Sequence, residues 1–350
     1  MSVAGRGRVT IAAIAAEAGV SVPTVSRVLN GRTDVAAETR VRVEELLEKH
    51  DYQRRGLARG TQANLIDLVF NDLDSPWAVE IIRGVEDVAH EEGVGTVVSA
   101  IHNQPTSERR WWQNVQSRAS DGIILVTSHL NPKLQAEVHR YLPTVVVDPT
   151  GVPSYDVPTI GATNWAGGLS ATEHLIGLGH RRVGIITGPP RLQCSRARLD
   201  GHRAGLEAAG LQIDPDLVFQ GDFYHESGFV GGQRMLGLSD PPTAIFASSD
   251  QMAFGVYEAA RQQGLRVPTD LSIVGFDDLP ESPWASPPLT TVRQPLSEMG
   301  MLAARTVLRL VRGEAIETLR LELATQLIVR ESTAAPGEQR PVPSILRRRG

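Results

Sequence analysis

Hydrophobic positions follow two different periods along this chain. Near the N-terminus they recur at helical spacing. Ile11, Ile14, Ala15 and Ala18 stand at i, i+3, i+4 and i+7, one stripe of a short helix that Thr10 can cap and Gly19 can end. Ser21 can cap a second helix, which tolerates Pro23 in its first turn and turns Val25, Val28 and Leu29 inward. A third helix, over about 37–49, is held inward by Val43, Leu46 and Leu47. Two short helices around a Gly-containing turn, braced by a third, predict a helix-turn-helix unit.

From residue 65 the pattern changes to short apolar runs separated by helical stretches. LIDLVF, GTVVSA, GIILVT and PTVVVD read as buried strands, with helices near 77–92, 107–118 and 132–141 between them. A second series follows: RVGIITG, LVFQGDF, TAIFASSD and LSIVGFDD, interleaved with helices near 165–178, 196–210, 226–237 and 251–264. Alternating strands and helices predict parallel sheets covered on both faces, and two series predict two similar lobes. The late segments PLTTVRQP (288–295) and LRLELATQLIVRES (319–332) are expected to cross back between the lobes.

Composition narrows the class. With 350 residues, 41% hydrophobic and 21% charged, the chain suits two or three folded domains. A single cysteine, Cys194, excludes an internal disulfide or a cysteine zinc site. No apolar run nears the roughly 18 residues of a membrane span. The first apolar stretch is interrupted by Glu17 and patterned as an amphipathic helix, not a signal peptide, so a cytoplasmic location is expected. The net charge is −5, yet residues 1–60 hold ten Arg/Lys against seven Asp/Glu, and the remainder 25 against 33. A basic head on an acidic body can still attract phosphate, because local charge governs that attraction.

The second helix carries the chemistry of the head. Pro23, Ser26, Arg27 and Asn30 fall on its outward face, with Thr24 beside them. In a helix-turn-helix this helix enters the major groove and its N-terminal residues reach base edges. VTIAAIAAEAGVSVPTVSRVLNGRTDVAAETRVRVEELLEKHDY (9–52) resembles, without a gap, the DNA-binding head of the lac repressor (LacI/GalR) family. The resemblance implies that Val22, Pro23, Thr24, Ser26, Arg27 and Asn30 lie at the DNA surface, and Thr10, opening the first helix, is counted with them. By the same resemblance, Val22 and Pro23 occupy the two positions that vary most with operator sequence in the family. In the joint QRRGLARGTQAN (53–64), Arg54, Arg55 and Arg59 suit phosphates. The resemblance implies a short helix there whose leucine, Leu57, wedges into the minor groove. Gly56, Gly60 and the short length leave a flexible basic linker as the alternative.

Open parallel sheets bind ligands beyond the C-terminal ends of their strands. Polar residues stand there: Asn71 and Asp72, Thr127 and Ser128, Asp148, Ser249 and Asp250, Asp277 and Asp278. Asp250 also fits the N-cap of the helix that follows it. His174 and His202 read as surface or helix-end residues, and Cys194 has no base partner that would make it a nucleophile. The family resemblance extends to about residue 332. It is carried by GATNWAGGLSATEHLIGLGHRRVGIITGPP, SRARLDGHRAGL, SDQMAFGVYEAARQQGLRVPTDLSIVGFDDLP and PPLTTVRQP. It implies an α/β, two-lobed, periplasmic-binding-protein-like sensor body. By position it implies effector contacts at Ser75, Asp148, Asn164 and Arg198, then at Phe223, Ser249, Asp277 and Gln294. Trp77 is a further aromatic candidate. Ser249 stands where the family usually has Asn. Arg198 and Asp277 are expected to face each other across the cleft and hold a neutral, hydroxyl-rich ligand, a sugar.

The expected plan is a helix-turn-helix domain (1–52), a hinge (53–64), a two-lobed body (65–332) and a disordered tail (333–350). The lobes are expected at 65–161 plus 291–320 and at 162–290 plus 321–332. The chain lacks G-x-G-x-x-G after a first strand, G-x-x-x-x-G-K-[ST] and any acid–base–nucleophile set, so neither an enzyme nor a cofactor is expected. A homodimeric repressor, released from a palindromic operator by a sugar, accounts for both head and body. A solute-binding protein with no DNA role accounts for the body alone.

Overall fold

The computed structural model describes residues 11–29, 35–50, 63–102, 104–126, 130–149 and 157–337. Met1–Gln62 and Ala63–Gly350 form two compact units. In the first, α1 (Ile11–Ala18), α2 (Val22–Leu29) and α3 (Ala37–Lys49) enclose a small core of Ile14, Ala15, Ala18, Val25, Val28 and Val43. Gly19 takes φ +67° and lets Val20 N–H donate back to the Ala15 carbonyl at 3.0 Å, the left-handed end of α1. Ser21 Oγ accepts from Thr24 N–H at 3.3 Å and opens α2, as its sequence predicts. Glu17 joins α1 to α3 through Lys49 and His50, and the Lys49 hydrogen bond is the main reason that its carboxyl lies below the ordinary range.

The body contains two six-stranded sheets. The first runs β2 (Gly95–Ala100), β1 (Leu65–Phe70), β3 (Gly122–Val126), β4 (Thr144–Val147), β5 (Thr159–Ala162), β11 (Arg320–Leu323), all parallel. The second runs β7 (Val218–Gln220), β6 (Val183–Thr187), β8 (Ala244–Ala247), β9 (Ser272–Asp277), β10 (Thr290–Arg293), β12 (Gln326–Ile328). Only its last pair is antiparallel. Both sheets share one doubly wound order, reversing at β1/β3 and at β6/β8.

Each sheet carries helices on both faces, as buried parallel strands require. In the first lobe α4 (Pro76–Glu91) and α11 (Leu296–Val311) cover one face, and α5 (Pro105–Arg118) and α6 (Pro132–Tyr141) the other. In the second, α7 (Asn164–Gly177) and α8 (Gln193–Ala208) lie opposite α9 (His225–Leu236) and α10 (Asp250–Gln262). Three of these pairs meet through facing glycines. A Cβ on Gly84 of α4 would lie 1.9 Å from Ser297 O at the start of α11, and one on Gly300 would lie 2.4 Å from Ile81 O. Gly168 and Gly201 play this part for α7 and α8, and Gly228 and Gly255 for α9 and α10. Removing the side chain at the contact sets how closely two axes can approach.

The course of the chain departs from expectation in four places. The first crossing falls at Thr163, just after β5. The second falls at 294–295, because β10 pairs with β9 in the second sheet, and the third at 324–325, because β11 pairs with β5 in the first. The lobe limits at 290/291 and 320/321 therefore shift by a few residues. α11, which the apolar runs do not announce, supplies Leu296, Met299, Ala303, Ala304, Val307 and Leu308 to the first lobe's core. The tail begins later than 333: Ala334 O accepts from His180 Nε2 at 2.9 Å, and His174 Nε2 lies 2.9 Å from Thr333 Oγ1, so 333–337 strap the second lobe. His202 is no surface residue. It is buried between α7 and α8, with Nδ1 2.8 Å from Thr172 Oγ1, and burial pushes its imidazole down to about 3.

Candidate functional site

In the first unit, α2 buries Val25 and Val28 and leaves Val22, Pro23 and Arg27 exposed, with Thr24 half-buried. The Thr24 hydroxyl is 2.8 Å from that of Ser21, which fixes it at the entrance to the helix. These are the outward positions expected to read DNA. Thr10, Asn30, Arg54, Arg55, Arg59 and Leu57 lie outside the described residues, as does the side chain of Ser26.

In the body, a cavity of about 180 Å³ lies where the C-terminal ends of the two sets of strands meet. Ser75, Trp77 and Asp148 line it from the first lobe, and Arg198, Phe223, Ser249 and Asp277 from the second. Seven of the nine expected contacts thus share one wall-to-wall space. The strand ends are bent toward it by unusual backbone. Asp148, Phe223 and Asp277 take φ of +48°, +79° and +117°, a region where non-glycine residues are uncommon and which clusters at functional sites.

Arg198 organises the second-lobe wall. It is 3% exposed; its Nε donates to Asn164 Oδ1 at 2.8 Å and its Nη1 to Ser248 O at 2.6 Å. The guanidinium carbon stacks 3.7 Å from the centre of the Phe276 ring. The side chain so held is part of the cavity's lining. Asp277 accepts from Gln294 Nε2 at 2.6 Å, and its Oδ1 is 3.8 Å from Arg198 Nη1. A carboxylate offers about four lone-pair sites, so capacity for a ligand hydroxyl remains.

Two expected contacts are corrected: Asn164 and Gln294 do not line the cavity. They stand behind it instead: Asn164 Oδ1 accepts from Arg198 and Gln294 Nε2 donates to Asp277. A third correction concerns that pair, which does not straddle the cleft. α8 and β9 both belong to the second lobe, so Arg198 and Asp277 are neighbours on one wall. Ser249, not Asp250, caps α10: its Oγ accepts from Met252 N–H at 3.1 Å and donates to Phe223 O at 2.8 Å. Asp250 is buried and accepts from Leu279 N–H, Ser282 Oγ and Thr291 Oγ1. Asp278 pairs with Arg293 and Arg330 outside the cavity.

Electrostatically, two buried carboxylates, Asp148 and Asp277, share one buried guanidinium, and a third, Asp250, lies against Asp277. Burial lifts Asp148, carries Asp277 to about 7 and, with repulsion from Asp277, carries Asp250 to about 8. Burial and the charge of Asp148 also push the Cys194 thiol up to about 12, so while it is buried beside Asp148 it is a poor nucleophile near neutrality. The lining holds Asp72, Asp148, Asp222 and Asp277 against Arg191 and Arg198, a balance that favours neutral ligands over anions. Asp222, Tyr224 and Arg191 are lining residues that the sequence reading misses. Their signal is position, since each follows a strand of the second sheet. Among the described residues, no group of three or more His, Cys, Asp or Glu side chains could hold a metal ion, and no helix is long and apolar enough to cross a membrane.

Comparison with known proteins agrees with both units. The family model for bacterial regulatory proteins of the lacI family matches residues 10–55, and that for a periplasmic binding protein-like domain matches 172–333. The chain is 34% identical over 329 residues to the HTH-type transcriptional repressor CytR of Escherichia coli (strain K12), covering 93% of this chain and 96% of that protein. Among solved structures it resembles the complex of the transcriptional regulator CelR with cellobiose, with a TM-score of 0.73, 34% identity and coverage of 93% and 100% of the two chains. It also resembles the lac repressor dimer bound to operator and the anti-inducer ONPF, with a TM-score of 0.69, 29% identity and coverage of 94% and 100%. A solute-binding protein without a DNA role would not carry the matched head. The chain belongs to the lacI family of bacterial regulatory proteins: it is a sequence-specific DNA-binding transcriptional regulator, not an enzyme.

Proposed function

We propose that this regulator is a repressor that leaves a palindromic operator when a small neutral sugar fills the body's cavity. The observation that carries this reading is the Arg198–Asp277 wall. A guanidinium nitrogen and a carboxylate stand side by side there, a donor and an acceptor for neighbouring hydroxyls, while the rings of Trp77 and Phe223 offer cover for an apolar sugar face. Cellobiose, the molecule in complex with CelR, is of the same chemical class. Val22, Pro23, Thr24, Ser26, Arg27 and Asn30 read bases or the adjoining backbone, with Thr10 at the head's edge, and Arg54, Arg55 and Leu57 contact DNA from the joint. One small head makes few contacts, so two heads of a homodimer read an inverted repeat. The ligand acts only by binding one lobe arrangement better than the other.

The test is a thermal-shift screen of the full chain against pentoses, hexoses, disaccharides and purines, followed by gel shifts on palindromic duplex with each hit. A stabilising sugar that releases the duplex supports the reading. A stabilising purine with no sugar response replaces the effector class, and a hit that tightens DNA binding makes the ligand a corepressor.

A further inference from the structure

We infer that Tyr224 and Asp72 are positioning residues of the cavity, whose hydrogen bond latches the two lobes together and thereby sets how tightly an effector is held. Tyr224 Oη donates to Asp72 Oδ1 at 2.8 Å. Asp72 follows β1 in the first lobe and Tyr224 precedes α9 in the second, so the bond spans the cleft. Both residues line the cavity.

The phenol is presented by a fixed turn. Tyr224 N–H donates to Asp222 Oδ1 at 2.9 Å, and Ser227 Oγ donates to the same oxygen at 2.6 Å. Phe223, immediately before it, is in the left-handed region, and its carbonyl is anchored by Ser249 Oγ at the cap of α10. The Ser249 hydroxyl thus spends its hydrogen on holding this turn. Burial, then the bond to Asp72 and its charge, push the Tyr224 phenol upward, so it remains a donor across the physiological range. A phenol donating to a carboxylate is a charge-assisted bond, among the stronger kinds. Because the protein makes this bond itself, it favours the closed arrangement in every ligation state. A larger closed fraction raises the apparent affinity of any ligand that prefers the closed cleft.

Cys194 offers a reporter for this. It is the chain's one cysteine, buried in the second lobe's wall, and its thiol feels the charge of Asp148 from the first. Its alkylation by iodoacetamide at fixed pH in the full chain reads how often the lobes part. Tyr224→Phe keeps the ring and removes only the hydroxyl. Alkylation should then speed up by roughly tenfold, the factor expected from losing one charge-assisted hydrogen bond. Asp72→Ala, which removes the same bond from the other lobe, should give a matching increase, and the double variant no more than either single one. Asp72→Asn, whose carboxamide oxygen can still accept, should lie between. A wild-type rate in Tyr224→Phe, unequal single effects or an additive double variant overturns the latch. The effect on affinity rests on the cavity being the effector site, whereas the alkylation rate needs no effector. A failed alkylation test therefore sinks the latch alone, and a failed ligand screen sinks the site reading alone.

Discussion

Arg198 and Asp277 stand 3.8 Å apart on the same lobe, the guanidinium flat on the Phe276 ring and the carboxylate held from behind by Gln294. A ligand that touched both would be gripped by one wall, with Asp148, Ser75 and Trp77 of the other lobe lining the opposite side. Asp277→Asn and Arg198→Ala should each weaken the effector found by screening at least about tenfold, since a hydrogen bond to a charged group contributes roughly 1.5–3 kcal/mol. Operator binding without effector should stay near wild type. Calorimetry on the full chain measures the first and gel shifts the second; wild-type effector affinity in either variant would mean the wall is not the binding surface.

Stability should fall as pH rises through the titration of the buried acids. Burial lifts Asp277 from 3.8 to about 7, against the pull of Arg198 and Gln294. A carboxyl raised in the folded state contributes stability that is full below its unfolded value and is lost as pH climbs through the folded one. Asp250, raised to about 8, acts in the same sense. Asp277→Asn removes one of these groups and relieves repulsion on the other, so its thermal midpoint should change less between about pH 4 and pH 8. Parallel pH profiles for variant and wild type by scanning calorimetry would contradict this.

Arg27 is exposed on the outer face of α2. If it reads a guanine edge, Arg27→Ala costs roughly 1–3 kcal/mol on the operator and relaxes preference at one position per half-site. Binding to a panel of single-base operator variants distinguishes this from phosphate contact, which would weaken every duplex alike.

Operator affinity should drop steeply with salt although the whole chain carries −5, because its first 60 residues are the basic part. A chain lacking those residues should lose operator binding yet keep its response to the effector. Retained operator affinity in that truncation would move the DNA site out of the head.

Gly201→Ala should destabilise the second lobe by roughly 1–3 kcal/mol, the usual cost of overpacking. Its new Cβ would lie 2.1 Å from the Trp165 carbonyl and force α7 away from α8, which carries Arg198. Denaturant unfolding measures the loss. An unchanged midpoint would show that the helix pair has slack to absorb a methyl group.

Much of this fold is legible in residue patterns. The three head helices follow from Ile11, Ile14, Ala15, Ala18 and their counterparts, and eight strands follow from continuous apolar runs. α11 is equally readable in principle: Leu296, Met299, Ala303, Val307 and Leu308 recur at helical spacing, but they lie between segments expected to cross the lobes. Strand ends point to the cavity because an open parallel sheet presents its ligand groups there. Partnership is harder to read. That Asn164 backs Arg198 depends on helices brought close by Gly168 and Gly201, and that Ser249 rather than Asp250 caps α10 goes with Asp250 being engaged by Leu279, Ser282 and Thr291 from later in the chain. The mate of Tyr224 lies 152 residues away, beyond any local signal.

The three crossings between the lobes limit how the body can be cut and recombined. Thr163 and Thr325, on the first and third crossings, are tied hydroxyl to hydroxyl at 3.0 Å, and the first lobe's core needs α11 from beyond the second crossing. A fragment ending at residue 162 would leave Ile81, Val85 and Ile160 without that cover, so the first lobe is not expected to fold from that fragment. Exchange of a whole lobe between two such regulators would need three simultaneous junctions. New ligand preferences are more readily reached by replacing single residues at the strand ends.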